Sequence, residues 1–166
     1  MGKSKIVNRL IILSFSSALI YVGKLALLLL PNIEVVTFLL IIYTLSYNLR
    51  DALLISTVYT IIEVLHWGFS EQMYIWTVIV LLTYVFKKVF KENFLWWAVF
   101  SGFLGITFGL RCALPIYLFT DKYFTVSYII SNIPFDVIHM VGNYFIMLLL
   151  GSVMYKNINK LIHEYN

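Results

Sequence analysis

The sequence predicts an all-α membrane protein: one domain, residues 1–166, built as a bundle of six transmembrane helices with both termini in the cytoplasm. Three observations lead to this prediction. Of the 166 residues, 61% are hydrophobic and only 12% are charged, about half the charged share of an ordinary soluble domain. The apolar residues form six long runs, and basic residues gather in alternate gaps between them. A soluble domain of this length would leave too much of that apolar surface in water.

Each apolar run is a candidate for crossing a bilayer, which takes about 20 helical residues. The six runs are Ile6–Leu30, Ile33–Tyr47, Ala52–Phe69, Met73–Phe86, Phe94–Phe119 and Val126–Tyr155. The second and fourth runs are shorter than 20 residues, so we expect these helices to be tilted, deep in the bundle or extended by flanking polar residues. Asp51 precedes the third run and is a candidate to cap its helix.

The basic start of the first run is also found in secretory signal peptides. This run is longer than a signal peptide, it contains Lys24, and no small-x-small cleavage site precedes a polar mature chain. We therefore expect the first helix to be retained.

Lysine and arginine predict the orientation of the chain. Nine of the 12 basic residues fall on one side of a six-span arrangement. These are Lys3, Lys5, Arg9, Arg50, Lys87, Lys88, Lys91, Lys156 and Lys160. The loops of the opposite side carry only Lys122. The positive-inside rule then places both termini in the cytoplasm. We interpret the net charge of +4 as a signal of membrane topology, with the basic residues in contact with the lipid bilayer. No nucleic-acid partner is predicted.

Ionisable residues inside apolar runs are costly in lipid, so each is a candidate for function. In the six-span arrangement all of them fall in the outer half of the bilayer or near its midplane. Asp136, His139 and Asn143 follow one another at intervals of three and four residues, which places them on one face of the last helix. Glu63 and His66 repeat this spacing on the third helix.

Two polar stripes at a similar depth predict one outward-facing pocket. The predicted substrate-binding residues are Glu34, Glu63, His66, Trp67, Arg111, Asp136, His139 and Asn143. Trp67 would stack on a ring, and Asn143 and the carboxylates would form hydrogen bonds. Arg111 has two open interpretations, because its planar fork suits an anionic ligand group and its charge also suits Asp136.

Structural and metal-binding roles are alternatives for the same residues. Buried polar groups can join helices by hydrogen bonds, and Asp136 with Arg111 or Glu63 with Lys24 would make ion pairs. Carboxylate and histidine three residues apart also match metal ligands by type. Such pairs serve equally as hydrogen-bonding partners, and neither a metal nor any other cofactor is predicted.

Small residues recur every four positions on the fifth helix, at Ser101, Gly105, Gly109 and Ala113. A stripe of this kind lets another helix approach closely. It predicts either packing within the chain or docking to a partner membrane subunit. The sequence contains no phosphate-binding glycine loop and no GxSxG motif, so no ATP hydrolysis and no catalytic residue are predicted.

Four segments resemble a known family. They are PNIEVVTFLLIIYTL (Pro31–Leu45), LLISTVYTIIEVLHWGF (Leu53–Phe69), SGFLGITFGLRCALP (Ser101–Pro115) and SNIPFDVIHMVGNY (Ser131–Tyr144). With them the chain resembles the substrate-binding S component of energy-coupling factor (ECF) transporters, which import vitamins and related micronutrients into prokaryotes. The segment NIPFDxxHxxGN carries most of this resemblance.

The resemblance implies a function and a set of partners. Such a subunit is a multi-pass protein of the prokaryotic cell membrane and not an enzyme, and it binds a vitamin or vitamin precursor from outside. It works with a transmembrane scaffold subunit and two ATPase subunits, which tip it over in the membrane to release substrate inward. The family carries an AxxxA-like docking motif in its first helix. Ser14 and Ala18 occupy that place here, with serine in the first position.

Two other classes are alternatives. His139-xxx-Asn143 resembles one element of membrane-embedded CAAX-type proteases, but the chain lacks the adjacent glutamates of that group. A structural or assembly protein of the membrane is the other alternative. The gathering of ionisable residues at one depth argues against a purely structural role.

Overall fold

The computed structural model describes residues 3–165, and every regular element in this range is an α-helix. The helices are α1 (Lys3–Ala26), α2 (Val36–Ser46), α3 (Leu49–Trp67), α4 (Met73–Phe90), α5 (Phe94–Ile106), α6 (Phe108–Phe119) and α7 (Lys122–Tyr165). The all-α prediction is confirmed for this part of the chain. Helices α5 and α6 are separated by a single residue, so they form one interrupted helix.

Four helical stretches are long and apolar enough to cross a membrane. They are Ile6–Ala26, Met73–Phe90, Phe94–Phe119 and Lys122–Ile162. Helix α2 has only 11 residues, and α3 carries Arg50, Asp51 and Glu63, so neither qualifies by length and composition. The chain therefore has several helices compatible with membrane insertion, and the crossing of all six runs stays a prediction.

The last helix is longer than its apolar run. The sequence predicts Val126–Tyr155, whereas α7 has 44 residues, from Lys122 to Tyr165. At 1.5 Å per residue it is about 66 Å long, against a hydrocarbon core of about 30 Å. The polar residues after Tyr155 continue the helix, because lysine and glutamate are good helix formers.

The third helix begins earlier than predicted and has a different cap. The carbonyl oxygen of the Asn48 side chain accepts a hydrogen bond from the Asp51 backbone N–H at 3.0 Å, so Asn48 is the N-cap. Asp51 itself is buried and its carboxylate accepts hydrogen bonds from Arg9 of α1. Asp51 is therefore buried beside the cationic side chain of Arg9, and Asn48 caps the helix in its place.

Helix α2 lies at the centre of the fold. All its residues from Val36 to Leu45 are buried, and its main neighbours are α4 and α7. At its C-terminal end Lys87 Nζ donates a hydrogen bond to the backbone oxygen of Leu45 at 2.6 Å. A cation in this position satisfies free carbonyls and opposes the negative end of the helix dipole.

Helices α5 and α7 form the most extensive helix pair. A Cβ atom added at Gly105 would lie 2.7 Å from backbone atoms of His139 and Met140, and one at Gly109 would lie 2.7 Å from Asp136 Oδ2. Only glycine allows so close an approach. The glycines of the small-residue stripe therefore pack within the chain against α7, and this decides between the two interpretations of the stripe in favour of internal packing.

Contacts between helix ends show that α1 runs in the same direction as α3, and α2 in the same direction as α4. The start of α1 contacts the start of α3 through Arg9 and Asp51, and the end of α2 contacts the end of α4 through Lys87. At the opposite end Lys24 contacts Glu63. The predicted basic gaps thus gather at one end, and most of the predicted binding residues lie toward the other.

Candidate functional site

A pocket of about 200 Å³ opens at the end of the helices that carries Lys24 and Glu63. It lies between the segment joining α1 to α2 and the starts of α4 and α6, with one face of α7. Its lining residues are Lys24, Leu27, Leu28, Leu30, Pro31, Asn32, Ile33, Glu34, Val36, Gln72, Trp76, Phe108 and His139. Two of the eight predicted binding residues, Glu34 and His139, are among them.

Glu34 joins the start of α2 to α7. Its carboxylate accepts a hydrogen bond from the Thr37 backbone N–H at 3.0 Å, which satisfies a free donor of the first helical turn. It also lies 3.1 Å from His139 Nε2. Burial raises the pKa of Glu34, but the hydrogen bond and electrostatic attraction of His139, together with the hydrogen bonds of Thr37, outweigh it, and the pKa lies below the usual carboxyl value.

Glu63 lies beneath the pocket and joins three helices. It is buried, its carboxylate pairs with Lys24 of α1, and it accepts a hydrogen bond from Trp76 Nε1 of α4 at 2.5 Å. The Lys24–Glu63 ion pair anticipated from the sequence is present. This pair holds the indole of Trp76 in the pocket wall.

Asp136 and Arg111 form hydrogen bonds with backbone groups at the interruption between α5 and α6. The Asp136 carboxylate accepts a hydrogen bond from the Gly109 N–H at 3.0 Å, one of the free donors in the first turn of α6. Arg111 donates to the carbonyl oxygens of Leu104 and Thr107 on the other side of the break. Asp136, one of the two predicted partners of Arg111, receives none of its hydrogen bonds, and Arg111 Nη1 is buried without a hydrogen-bond partner among the described residues.

Unsatisfied polar atoms lie behind the pocket wall. Asn143 is one helical turn beyond His139 and is 1% exposed, and His139 is 4% exposed. Neither the amide atoms of Asn143 nor His139 Nδ1 has a hydrogen-bond partner within residues 3–165. Buried polar atoms of this kind are sites for a bound water or for a polar group of a ligand.

The structure does not bring His66 and Trp67 to this pocket. They belong to the last turn of α3, which is exposed from Leu65 onward, and Trp67 is 52% exposed. Their rings stack on each other with centroids 4.5 Å apart, and His66 Nδ1 is hydrogen bonded to the Tyr21 hydroxyl. Helical spacing placed them on the face of Glu63, but the last turn of α3 is exposed and His66 contacts Tyr21 of α1 instead of the pocket.

Aromatic rings form one side of the pocket. The ring centroids of Trp76 and Phe108 are 6.2 Å apart, and those of Phe108 and His139 are 4.9 Å apart. The sequence did not assign Trp76, Phe108 or Gln72 to the site. No spacing rule connects these residues to Glu34, because they approach it only through helix packing. Together the wall offers aromatic faces, hydrogen-bond donors and acceptors, and a carboxylate.

Ser14 and Ala18 lie far from this pocket along α1. Both are exposed and line an open apolar depression with Val7, Leu10, Ile11 and Phe15. The predicted docking role of this pair stays a prediction.

No group of three or more His, Cys, Asp or Glu residues converges as a metal site in the described part of the chain. Comparison with known proteins found no match: no protein-family model, no curated protein and no solved structure matches this chain.

Proposed function

We propose that this chain is the substrate-specificity subunit of an ECF-type importer and binds a small, water-soluble, vitamin-like molecule. One observation carries the proposal: a pocket at one end of an apolar helical protein is lined by ionic and aromatic side chains from four parts of the chain. Pockets of this composition, mostly apolar with a few convergent polar groups, are typical of small-molecule sites. The proposal includes a prokaryotic cell membrane and six crossings.

The position of the pocket supports uptake from outside. The basic gaps lie at the opposite end of the helices, and basic gaps are cytoplasmic under the positive-inside rule. With the termini in the cytoplasm, the pocket opens toward the external side. Solute from outside would then reach Glu34 and His139 directly, beside the segment that joins α1 to α2.

The pocket volume favours a small substrate. About 200 Å³ lies below the usual range of about 300–1,000 Å³ for drug-sized ligands. A compound with a single ring fits this volume, with its ring against Trp76 or Phe108 and its polar groups on Glu34 and His139.

Transport would require partners. The sequence contains no nucleotide-binding motif, so the proposed mechanism assigns energy supply to two ATPase subunits and force transmission to a membrane scaffold. The exposed depression around Ser14 and Ala18 is the proposed docking face for the scaffold, because its apolar residues leave space beside small side chains.

The test is to purify the protein in mild detergent, release any bound small molecule, identify it by mass spectrometry and measure its affinity. His139→Ala should weaken binding by about tenfold to a hundredfold, because a hydrogen-bonded polar contact is lost. His66→Ala is the matched control, since His66 lies outside the pocket. A folded protein that neither carries nor binds any small molecule would contradict the proposal. Equal losses of affinity in the two variants would mean that the binding site is not the pocket at His139.

A further inference from the structure

The two ends of the protein carry opposite charge. The pocket end has three basic and five acidic side chains, a formal net charge of −2 with neutral histidines. They are Lys24, Arg111 and Lys122, with Glu34, Glu63, Glu71, Asp121 and Asp136. The opposite end has nine basic and three acidic side chains, a formal net charge of +6. A cleft at an acidic end concentrates cations and repels anions.

Among the side chains that line the pocket, Glu34 carries the one carboxylate. Lys24 is neutralised by Glu63 in an ion pair, so it is not free to receive an anion. Arg111 donates hydrogen bonds from Nε and Nη2 to backbone carbonyls, its Nη1 is buried without a partner within the described residues, and it does not line the pocket. Glu34 remains, and among the described residues its one side-chain partner is His139.

Glu34 places a carboxylate in the pocket wall. It lies 3.1 Å from His139 Nε2 and accepts a hydrogen bond from the Thr37 backbone N–H. His139 Nδ1 is buried and has no hydrogen-bond partner within the described residues.

From this charge balance we infer that the pocket selects a ligand with a positive charge, namely a small ring compound bearing a protonated amine or another cationic nitrogen. Its cationic group lies against Glu34 and its ring against Trp76, whose face also attracts cations. The inference rests on the proposed function and names the chemical class of its substrate.

The experiment compares three probes of one ring size: benzylamine, which is cationic at pH 7, benzyl alcohol and benzoate. Their binding to the purified full-length protein in detergent is measured by ligand-observed NMR titration. We expect benzylamine to bind about tenfold to a hundredfold more tightly than benzoate, the range for one charge-assisted contact. Glu34→Gln keeps an acceptor for Thr37 and should remove this preference. Glu71→Gln, the same change at an exposed residue outside the pocket, should keep it.

The outcomes separate this inference from the proposed function. If benzoate binds as tightly as benzylamine, or more tightly, the charge assignment is wrong while a small-molecule pocket still stands. A preference for benzylamine that survives in Glu34→Gln, or that is lost equally in Glu71→Gln, also overturns the assignment. If no probe binds and no small molecule is recovered from the protein, the proposed function fails and the inference fails with it.

Discussion

The contact between α5 and α7 allows a sharp test of the fold. Gly105→Ala would place a Cβ atom 2.7 Å from backbone atoms of His139 and Met140. Backbone atoms of a helix cannot swing aside, so α5 and α7 must separate. Gly142→Ala is a matched control, because its Cβ atom would meet Ile33 and Asn32 at 3.7–3.8 Å, an ordinary contact.

The expected magnitude follows from two opposing terms. Alanine in a helix is favoured over glycine by up to about 1 kcal/mol, and this gain applies to both variants. Overpacking costs about 1–3 kcal/mol and applies only at Gly105. The difference in unfolding free energy between the two variants should therefore be about 1–3 kcal/mol, with Gly142→Ala the more stable. Because the clash includes the backbone of His139, Gly105→Ala should also weaken ligand binding.

The assay is reversible unfolding in mixed detergent, with SDS as the denaturant and near-ultraviolet circular dichroism as the signal. The difference between the variants is read from their midpoints at a common slope. Gly105→Ala as stable as Gly142→Ala would refute the close approach of the two helices and the internal role of the small-residue stripe.

Three further predictions concern the ends of the protein. Lys87→Met should lower the unfolding free energy by about 1–2 kcal/mol, because the C-terminal carbonyls of α2 lose their cation. The same change at the exposed Lys88 should alter the unfolding free energy little. Equal effects of the two changes would show that Lys87 does not cap α2. The pKa of Glu34 lies below its usual value of 4.5, so its ionised form stabilises the fold above that pH and this contribution is lost as the pH falls through the lowered pKa. The melting temperature of the parent should then fall more steeply below about pH 4.5 than that of Glu34→Gln, and parallel curves would contradict this. Single cysteines at Glu92 and Ser70, in a background without the natural cysteine, should be labelled by a membrane-impermeant reagent only at residue 70 in intact cells; labelling at residue 92 would overturn the orientation.

The sequence determined the helical class and most element positions. Long apolar runs with few charges cannot form a soluble core at this length, and the structure has a helix within each run. Breaks within an apolar run were less well predicted. The fifth run, Phe94–Phe119, was predicted as one helix but is divided at Thr107. Nothing in its composition marks the break, because Asp136 and Arg111 stabilise it from another helix and from the next turn.

Helical spacing predicted part of the candidate site. The interval between Asp136, His139 and Asn143 correctly placed all three on a buried face of α7, because 3.6 residues per turn is a local property of the helix. The same rule grouped His66 and Trp67 with Glu63, but it contains no information on where the neighbouring helices end. Their exposure is decided by packing.

The pairing of the pocket residues was decided only by tertiary structure. Sequence alone supplied the ionisable groups Lys24, Glu34, Glu63 and His139, together with the cost of burying each one. It left Lys24–Glu63 as one alternative and did not anticipate Glu34–His139, which joins residues 105 positions apart. Hydrogen bonds act only at about 3 Å, so they are fixed by how the helices pack. The close approach of α5 to α7, which glycine permits, places the His139 backbone against Gly105.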